Sequence, residues 1–526
     1  MSIFVGCTIG PIFETINLAR KPLEIWMSSY MYSRVAQIII QELNKNEEVE
    51  ILSPHEEIKS NKIEMFQGVN GAGIFSDHII FRADNMSKEE VSEFFEEAKD
   101  KMYEEVSKEI TCTIGAKQNL EKCKNYLMDK IYILEVVKDT TDKEVSKFPI
   151  KEIVEELELQ DRFPPFLTKE TADDFLLNFI EHNNLKEHSS WIKENNIKPQ
   201  EFQNIANISG KPNLLLNNYL AIIYSDGDSM GKLSGIFAEK SETQNSYFKL
   251  SEFITERAKA NIEYVRDYGA MPIYFGGDDM FFIAPIYGKN PNSQENKNQI
   301  SVFQLVENLS KNFDKAWIDA KIPDKEKFKD IVPSLSFGIT ISHCKYPFRY
   351  MREDCQNALF GTAKNQTWAE NRSKNAIAIE LRKHSGQQSN LILCGHKFNG
   401  ASAFSTVVKY INNIVQKEEN NVDECAMSRS MHWKVMEQYP LIEGILKLPE
   451  TEQKKHLKTW FVANSSQQDK KETNDFDLII DAMCEIVRSI GYTEDNAKLI
   501  KNTIDGLFRL AEFMTTGKKD AYEVFI

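Results

Sequence analysis

A chain of 526 residues, 41% hydrophobic and 11% aromatic, holds enough apolar material for several cores, and its length predicts roughly three to four domains. Its 64 basic residues against 79 acidic ones leave a formal net charge of −15, which excludes a protein whose main work is wrapping nucleic acid. Any contact with RNA or DNA is expected to be local, or to be made through partner subunits.

The opening MSIFVGCTIGPIFET is apolar but lacks a basic leader and meets Glu14 and Arg20 at once, so it reads as a buried strand and not as a signal peptide. A helix follows from about Leu23 to Leu43, with Ile25, Tyr32, Val35, Ile39 and Leu43 at near-helical spacing. DHIIFRAD, ending at Asp84, predicts a core strand. Ser87 then caps a helix with one apolar and one charged face. These elements make a first α/β segment, residues 1–108.

From 109 to 212 charged helical pieces are broken by Pro149, Pro164, Pro165, Pro199 and Pro212, the pattern of a mostly helical insert. Residues 213–383 return to α/β alternation, starting with the strand Tyr219–Ser225. Lys289 to Asn298 reads as a polar loop, and Phe303, Val306, Leu309, Phe313 and Trp317 mark the helix after it. The last segment, 384–526, shows helical patterns and no evident strand pair. Eight cysteines without a Cys-x-x-Cys pair fit reduced thiols, and no stretch nears the roughly 18 apolar residues of a membrane span. A cytoplasmic location without membrane contact is expected.

A weak internal repeat links the two α/β segments. GIFSDHIIFRA (73–83) lies over IYFGGDDMFFIA (273–284), placing Asp77 over Asp278 and His78 over Asp279. IFVGCTIGPI (3–12) lies over AIIYSDGDSM (221–230), placing Thr8 over Asp226 and Gly10 over Asp228. The first copy has lost nearly all its carboxylates.

The second copy keeps them. In YSDGDSMGKL (224–233) an apolar strand ends at Asp226-Gly227-Asp228 and runs through Ser229, Met230 and Gly231 into a helix. In PIYFGGDDMFF (272–282) a strand turns at Gly276-Gly277 and returns at once, with Asp278 and Asp279 at the turn. Glycine suits such a turn because positive φ costs it little and a nucleotide can approach its backbone. If the strands are neighbours, three or four carboxylates converge, and hard oxygen ligands in that number select two magnesium or manganese ions. The turn Gly227–Gly231 at a helix start would offer amides to a triphosphate. Taken singly, either motif is more often a surface turn; the pairing, each after an apolar strand, carries the reading.

The pair resembles the polymerase/cyclase palm shared by diguanylate cyclases and by the Cas-ten family of type III CRISPR large subunits. TIGPIFETINLARKPLEIWMSSYMYSRV (8–35), PSLSFGITISHCKYPFRYMREDCQNALFGTAK (333–364) and NAIAIELRKHSGQ (375–387) are similar to the Cmr-type, type III-B branch. The resemblance implies an α+β fold of two ferredoxin-like palms, the first degenerate, with a helical insert and a helical C-terminal domain. Carried over by position, it implies Asp226 and Asp278 as metal ligands beside Gly227, with Asp279 and Asp228 as supporting carboxylates. Asp226, Asp278 and Asp279 become the catalytic set. Gly227, Asp228, Ser229, Met230, Gly231, Gly276 and Gly277 would line the nucleotide, with Lys364 on its phosphates and Lys374, of the pair Lys374-Asn375, nearby. On composition alone either lysine reads as a solvated surface charge, and NQTWAENRS lengthens the gap between them. The turn His343-Cys344 is implied to sit beside the nucleotide.

The implied activity is nucleotidyl transfer from ATP, switched on by target RNA within a complex of Cmr-type subunits and guide CRISPR RNA. The product would be cyclic oligoadenylate, or an AMP conjugate where S-adenosylmethionine is the acceptor. A small helical subunit is expected on the C-terminal domain. Two features depart from the family pattern: no adjacent His-Asp pair occurs, so no DNA cleavage is expected, and only Cys112 and Cys123 fall in the insert, so no zinc is expected there. Cys394, His396, Cys425 and His432 lack the tight paired spacing of a metal site. Arg349, Arg352, Arg372 and Lys374 read either as a phosphate contact or as a solvated face. The competing readings are an inert scaffold, disfavoured by the intact acids, and a free-standing diguanylate cyclase, disfavoured by the duplicated palm.

Overall fold

The computed structural model describes residues 2–12, 15–16, 19, 21–55, 72–114, 120–142, 145–161, 201–207, 215–239, 244–293, 299–323, 325–420, 425–465 and 473–515. Pro164, Pro165, Pro199 and Pro212 of the expected insert lie outside the described residues, as does about half of that segment.

The first sheet is built from β1 (Ser2–Gly10), α1 (Pro22–Leu43), β2 (Val49–Ser53), β3 (His78–Asp84), α2 (Lys88–Ile114), α3 (Leu120–Lys130) and β4 (Tyr132–Asp139), followed by α4 (Ile150–Asp161). Its strand order β2-β3-β1-β4, with β1 antiparallel to both neighbours, is the ferredoxin-like arrangement. Local signals account for the elements. Ser87 Oγ accepts from the Glu90 amide at 3.2 Å while Glu90 Oε2 accepts from the Ser87 amide at 2.7 Å, a reciprocal cap at the start of α2. Eight of the nine residues of β1 are buried, consistent with a central strand covered on both faces.

The second sheet uses β5 (Tyr219–Asp228), α5 (Met230–Ala238), α6 (Gln244–Tyr268), β6 (Met271–Tyr274), β7 (Met280–Pro285), α7 (Val302–Asp319), β10 (Ser334–His343), α8 (Phe348–Gln356), β11 (Ala376–Arg382) and β12 (Gln388–Cys394); β8 (Tyr287–Lys289) and β9 (Gln299–Ser301) form a separate small hairpin. Its order β12-β11-β10-β5-β7-β6 contains the same ferredoxin-like core, β10-β5-β7-β6, extended by a parallel β11 and an antiparallel β12. The C-terminal helices are α9 (Ala403–Asn420), α10 (Cys425–Glu437), α11 (Tyr439–Leu446), α12 (Glu450–Asn464), α13 (Thr473–Ile490) and α14 (Ala497–Thr515).

Two strands lie beyond the sequence boundaries. β4 falls past residue 108, inside the segment read as helical insert, and pairs with β1 over its whole length. β12 falls past residue 383, where no strand was expected, and closes the second sheet on β11. α14 rests on β12 at Gly506, where a Cβ would stand 2.7 Å from Leu391 Cβ and 2.8 Å from the Asn390 carbonyl. Only glycine admits that approach.

The palms meet along a seam. Gly73 forms a parallel bridge with Tyr274; its amide donates to the Ile273 carbonyl at 3.4 Å and its carbonyl accepts from the Phe275 amide at 2.8 Å. Ser29 Oγ of α1 also donates to the Ile273 carbonyl, at 3.0 Å. Among the described residues no helix is long and apolar enough to cross a membrane.

Candidate active site of the second palm

β5 runs antiparallel beside β7, with Tyr224 opposite Phe281 and Ser225 opposite Met280. The C-terminal end of β5 therefore lies next to the turn that feeds β7. That register brings Asp226-Gly227-Asp228 against Asp278 and Asp279. The approach is close because Gly227 has no side chain: a Cβ there would stand 2.5 Å from Asp278 Oδ2 and 2.7 Å from Asp278 Cβ. At the turn Gly277 takes φ +65°, and the Asp279 amide donates to the Gly276 carbonyl at 3.1 Å. A Cβ on Gly276 would stand 2.1 Å from the Tyr274 hydroxyl oxygen.

The carboxylates are not equivalent. Burial, then the charge of Asp226, pushes the Asp278 carboxyl up to about 6, with Lys364 opposing. Crowding by protein, then the charges of Asp278 and Asp226, hold Asp279 well above the ordinary carboxylate range, although its side chain keeps a solvent-exposed face. Burial raises Asp226 as well, with Lys364 opposing. Asp77, the counterpart of Asp278 in the first palm, adds its charge to the field at Asp279.

Asp228 is different. It is 2% exposed and its oxygens are occupied: Oδ2 accepts from Ser334 Oγ at 2.8 Å, Ser336 Oγ at 2.7 Å and the Asn375 amide at 2.9 Å. Oδ1 takes Lys364 Nζ at 2.8 Å. Sequence reasoning missed this knot of β5, β10 and the start of β11; its one trace was the alternating Ser334 and Ser336, which face one way on a strand.

Lys364 follows a π-helical segment, Asn357–Thr362, in a 3₁₀ turn, Ala363–Asn365. Its ammonium lies 2.5 Å from Asp226 Oδ1 and donates to the carbonyls of Asp226 and Gly227 at 3.0 Å each. Lys374 sits at φ +61° and forms no ion pair among the described residues, while its charge favours ionisation of Asp226. Ser229, at φ +64°, turns β5 into α5; Met230 is buried, and the space beside Gly231 is open. The first amides of α5 lack intrahelical acceptors, as at any helix start.

The donor set, carboxylates with the Gly227 carbonyl, has the hard-oxygen chemistry that suits magnesium or manganese. As the side chains stand, no three His, Cys, Asp or Glu residues among those described converge tightly enough to hold an ion. The ammonium of Lys364 stands among the acids instead.

Other residues lie elsewhere. His343 is opposite Tyr219, at the far end of β5 from Asp226 and roughly 20 Å along the strand, so the His343-Cys344 turn is not beside the acids. Arg349 is exposed and paired to Glu353, Arg372 is paired to Glu370 and stacks on Phe398, and Arg352 is buried; they form no common basic face. Cys394 and Cys123 are buried thiols, His396 bonds the Ser373 carbonyl and His432 pairs with Asp505. The side chains of Cys112 and Cys425 lie outside those described.

Residues 219–378 match the family described as Cas10/Cmr2, second palm domain, and residues 4–112 match CRISPR-associated protein Cmr2, N-terminal. The chain carries Cas10/Cmr2 domains. The Cas10/Cmr2 second-palm match spans β5 through the start of β11 and so includes Asp226, Asp278, Asp279, Lys364 and Lys374. Among solved structures the chain is similar to the apo state of a type III-B Cmr-beta complex, at 10% identity over 98% of this chain and 82% of that one, with a TM-score of 0.58. It is also similar to type III-B Cmr-beta bound to cognate target RNA, at 11% identity over 98% and 83%, again with a TM-score of 0.58. At this identity the shared property is the fold. No curated protein matches the sequence.

Proposed function

We propose that this chain is the large subunit of a type III-B CRISPR effector and that its second palm transfers a nucleotidyl group from ATP to make a signalling nucleotide. One observation carries the reading: Asp226, Asp278 and Asp279 are brought together by a strand end and a turn, where burial raises each carboxyl and the charge of Asp226 adds to the rise at Asp278 and Asp279. Charge concentrated in this way is unfavourable to a bare protein and favourable to a bound cation.

Asp226, Asp278, Asp279 and the Gly227 carbonyl would hold two magnesium or manganese ions. Bound there, the ions would supply charge neutralisation for an attacking hydroxyl and a departing pyrophosphate. Gly227, Ser229, Met230 and Gly231 would present the start of α5 to a triphosphate, and Gly277 leaves open space for the nucleotide at the turn, while Gly276 makes way for the Tyr274 hydroxyl. In the transfer, the acceptor oxygen forms a bond to the α-phosphorus of ATP as the bond to the β-phosphate breaks. The acceptor, a second ATP or S-adenosylmethionine, would lie against the first palm, which faces the site at Asp77. Guide RNA, target RNA, further Cmr-type subunits and a small helical subunit on α9–α14 complete the proposed assembly. Its setting would be the cytoplasm.

A second reading, a silent palm in a subunit that anchors guide RNA and its neighbours, is favoured by the ammonium of Lys364 already among the acids. Incubating the assembled complex and target RNA with labelled ATP, with and without S-adenosylmethionine, and weighing the product separates the readings. Asp278→Ala combined with Asp279→Ala should abolish the product and leave assembly intact. Unchanged turnover in that double variant refutes the site.

A further inference from the structure

The position of Lys364 needs an account that a phosphate contact alone does not give. Its side chain is 10% exposed and its ammonium is ringed by ligands of this chain: Asp226 Oδ1 at 2.5 Å, Asp228 Oδ1 at 2.8 Å and the carbonyls of Asp226 and Gly227 at 3.0 Å. Four oxygens around one cation is how a protein treats an ion. Asp226 and Gly227 are also groups assigned above to the divalent ions.

The backbone behind Lys364 is fixed. Its preceding π-helical turn is pressed on β10, where a Cβ on Gly338 would stand 2.4 Å from the Cys355 carbonyl and 2.7 Å from the Leu359 nitrogen. Irregular turns of this kind are frequent at functional sites. Asp228, with its second oxygen tied to Ser334, Ser336 and Asn375, has little capacity left for a metal and instead holds the lysine.

We propose that Lys364 is a resident counter-ion which occupies the cation place beside Asp226 and Gly227, so that a divalent ion binds only by displacing it, while Asp228 keeps it tethered. The inference rests on the metal-binding reading of the acids. Displacement would turn the ammonium away from Asp226 and leave it free to meet an incoming phosphate. Metal arrival and lysine release are then one event. Lys364 is a positioning residue here, acting on the acids before any substrate is present.

The test is manganese binding to the full chain without nucleotide, followed by the electron paramagnetic resonance signal of free Mn²⁺. Lys364→Met should bind manganese on the order of tenfold more tightly than the unaltered chain, since no ammonium competes and the like-charge repulsion is gone. Lys374→Met controls for bulk charge, because Lys374 lies within the field of Asp226 without pairing to it; its affinity should stay near that of the unaltered chain. An equal gain in both variants, or weaker binding in Lys364→Met, overturns the displacement. If manganese binds none of the three proteins, the metal reading of the site falls together with this inference. A second measurement needs no variant: acylation of Lys364 by an amine-directed reagent, read by mass spectrometry, should rise when manganese is added to the unaltered chain. A rate that is unchanged or slower also overturns the proposal.

Discussion

Gly73 and Tyr274 hold equivalent places in the two palms and lie against each other, joined by a parallel bridge. A residue that touches its own counterpart in a repeat sets the two copies edge to edge at that point, and Asp77 of one copy adds its charge at Asp279 of the other. The turn carrying Asp278 and Asp279 and the strand start carrying Asp77 and His78 therefore face one another across the seam. The weak sequence overlay of 73–83 on 273–284 thus has a spatial meaning.

Gly227 is expected to tolerate no side chain. Gly227→Ala puts a methyl group 2.5 Å from Asp278 Oδ2, so the strand end and the turn must separate. Overpacking of this kind costs about 1–3 kcal/mol, and product formation should fall by on the order of 100-fold. Gly231→Ala meets nothing within 4 Å and should leave thermal stability unchanged or raised by about 0.5–1 kcal/mol. Paired melting curves, with product assays for Gly227→Ala, check both.

Asp278 makes stability depend on pH. Its carboxyl stands at about 6 in the folded chain against an ordinary 3.8, from burial first and the charge of Asp226 second. The folded state therefore holds the proton more tightly than the unfolded state does. The associated stability is present below about pH 4 and is lost as pH rises through about 6. Asp278→Asn, which cannot ionise, should be more stable than the unaltered chain at pH 8 in a chelator, by ~1–3 kcal/mol. The difference should shrink at pH 4. Denaturant titrations at the two pH values decide it; a variant equally stable or weaker at pH 8 contradicts the electrostatic account.

Asp228 and its partners should behave as structure. Asp228→Ala takes one carboxylate from Lys364, which keeps Asp226, and strands the Ser334 and Ser336 hydroxyls in a buried place, so about 1–3 kcal/mol of stability should be lost. Ser334→Ala or Ser336→Ala alone removes one of several donors and should cost about 1 kcal/mol. Chemical denaturation of the three variants gives the order.

Gly506 is the contact through which α14 lies on β12. Gly506→Ala brings a methyl group to 2.7 Å from Leu391 Cβ and should destabilise the chain by about 1–3 kcal/mol. Hydrogen exchange should accelerate in β12 and α14 before it does in β1. Uniform acceleration would argue against a local contact.

Much of this was legible in residues. Ser87 with Glu90, and the apolar spacing from Ile25 to Leu43, announced helices that depend on their own sequence. The convergence of Asp226 with Asp278 and Asp279 was expected on the condition that their strands are neighbours, and the pairing of β5 with β7 meets that condition. β4 and β12 were not legible, because seven or eight residues such as YILEVVKD or QSNLILC carry too little periodicity to stand out among charged helices. Their assignment is made by the partner strand. Asp226 and Asp228 look alike in Asp-Gly-Asp, and only the register of β10, with Ser334 opposite Asp228, separates a carboxylate open to ligands from one already satisfied. The place of Lys364 depends on a π turn that no local pattern signals.

The bridge at Gly73 also makes the molecule lopsided in a useful sense. A dimer of identical units would present two equal halves to whatever enters between them and could not distinguish its occupants. Here the acids are concentrated in one half, so on the proposed reading a single polypeptide would give its site a direction: one side to donate, the other to receive.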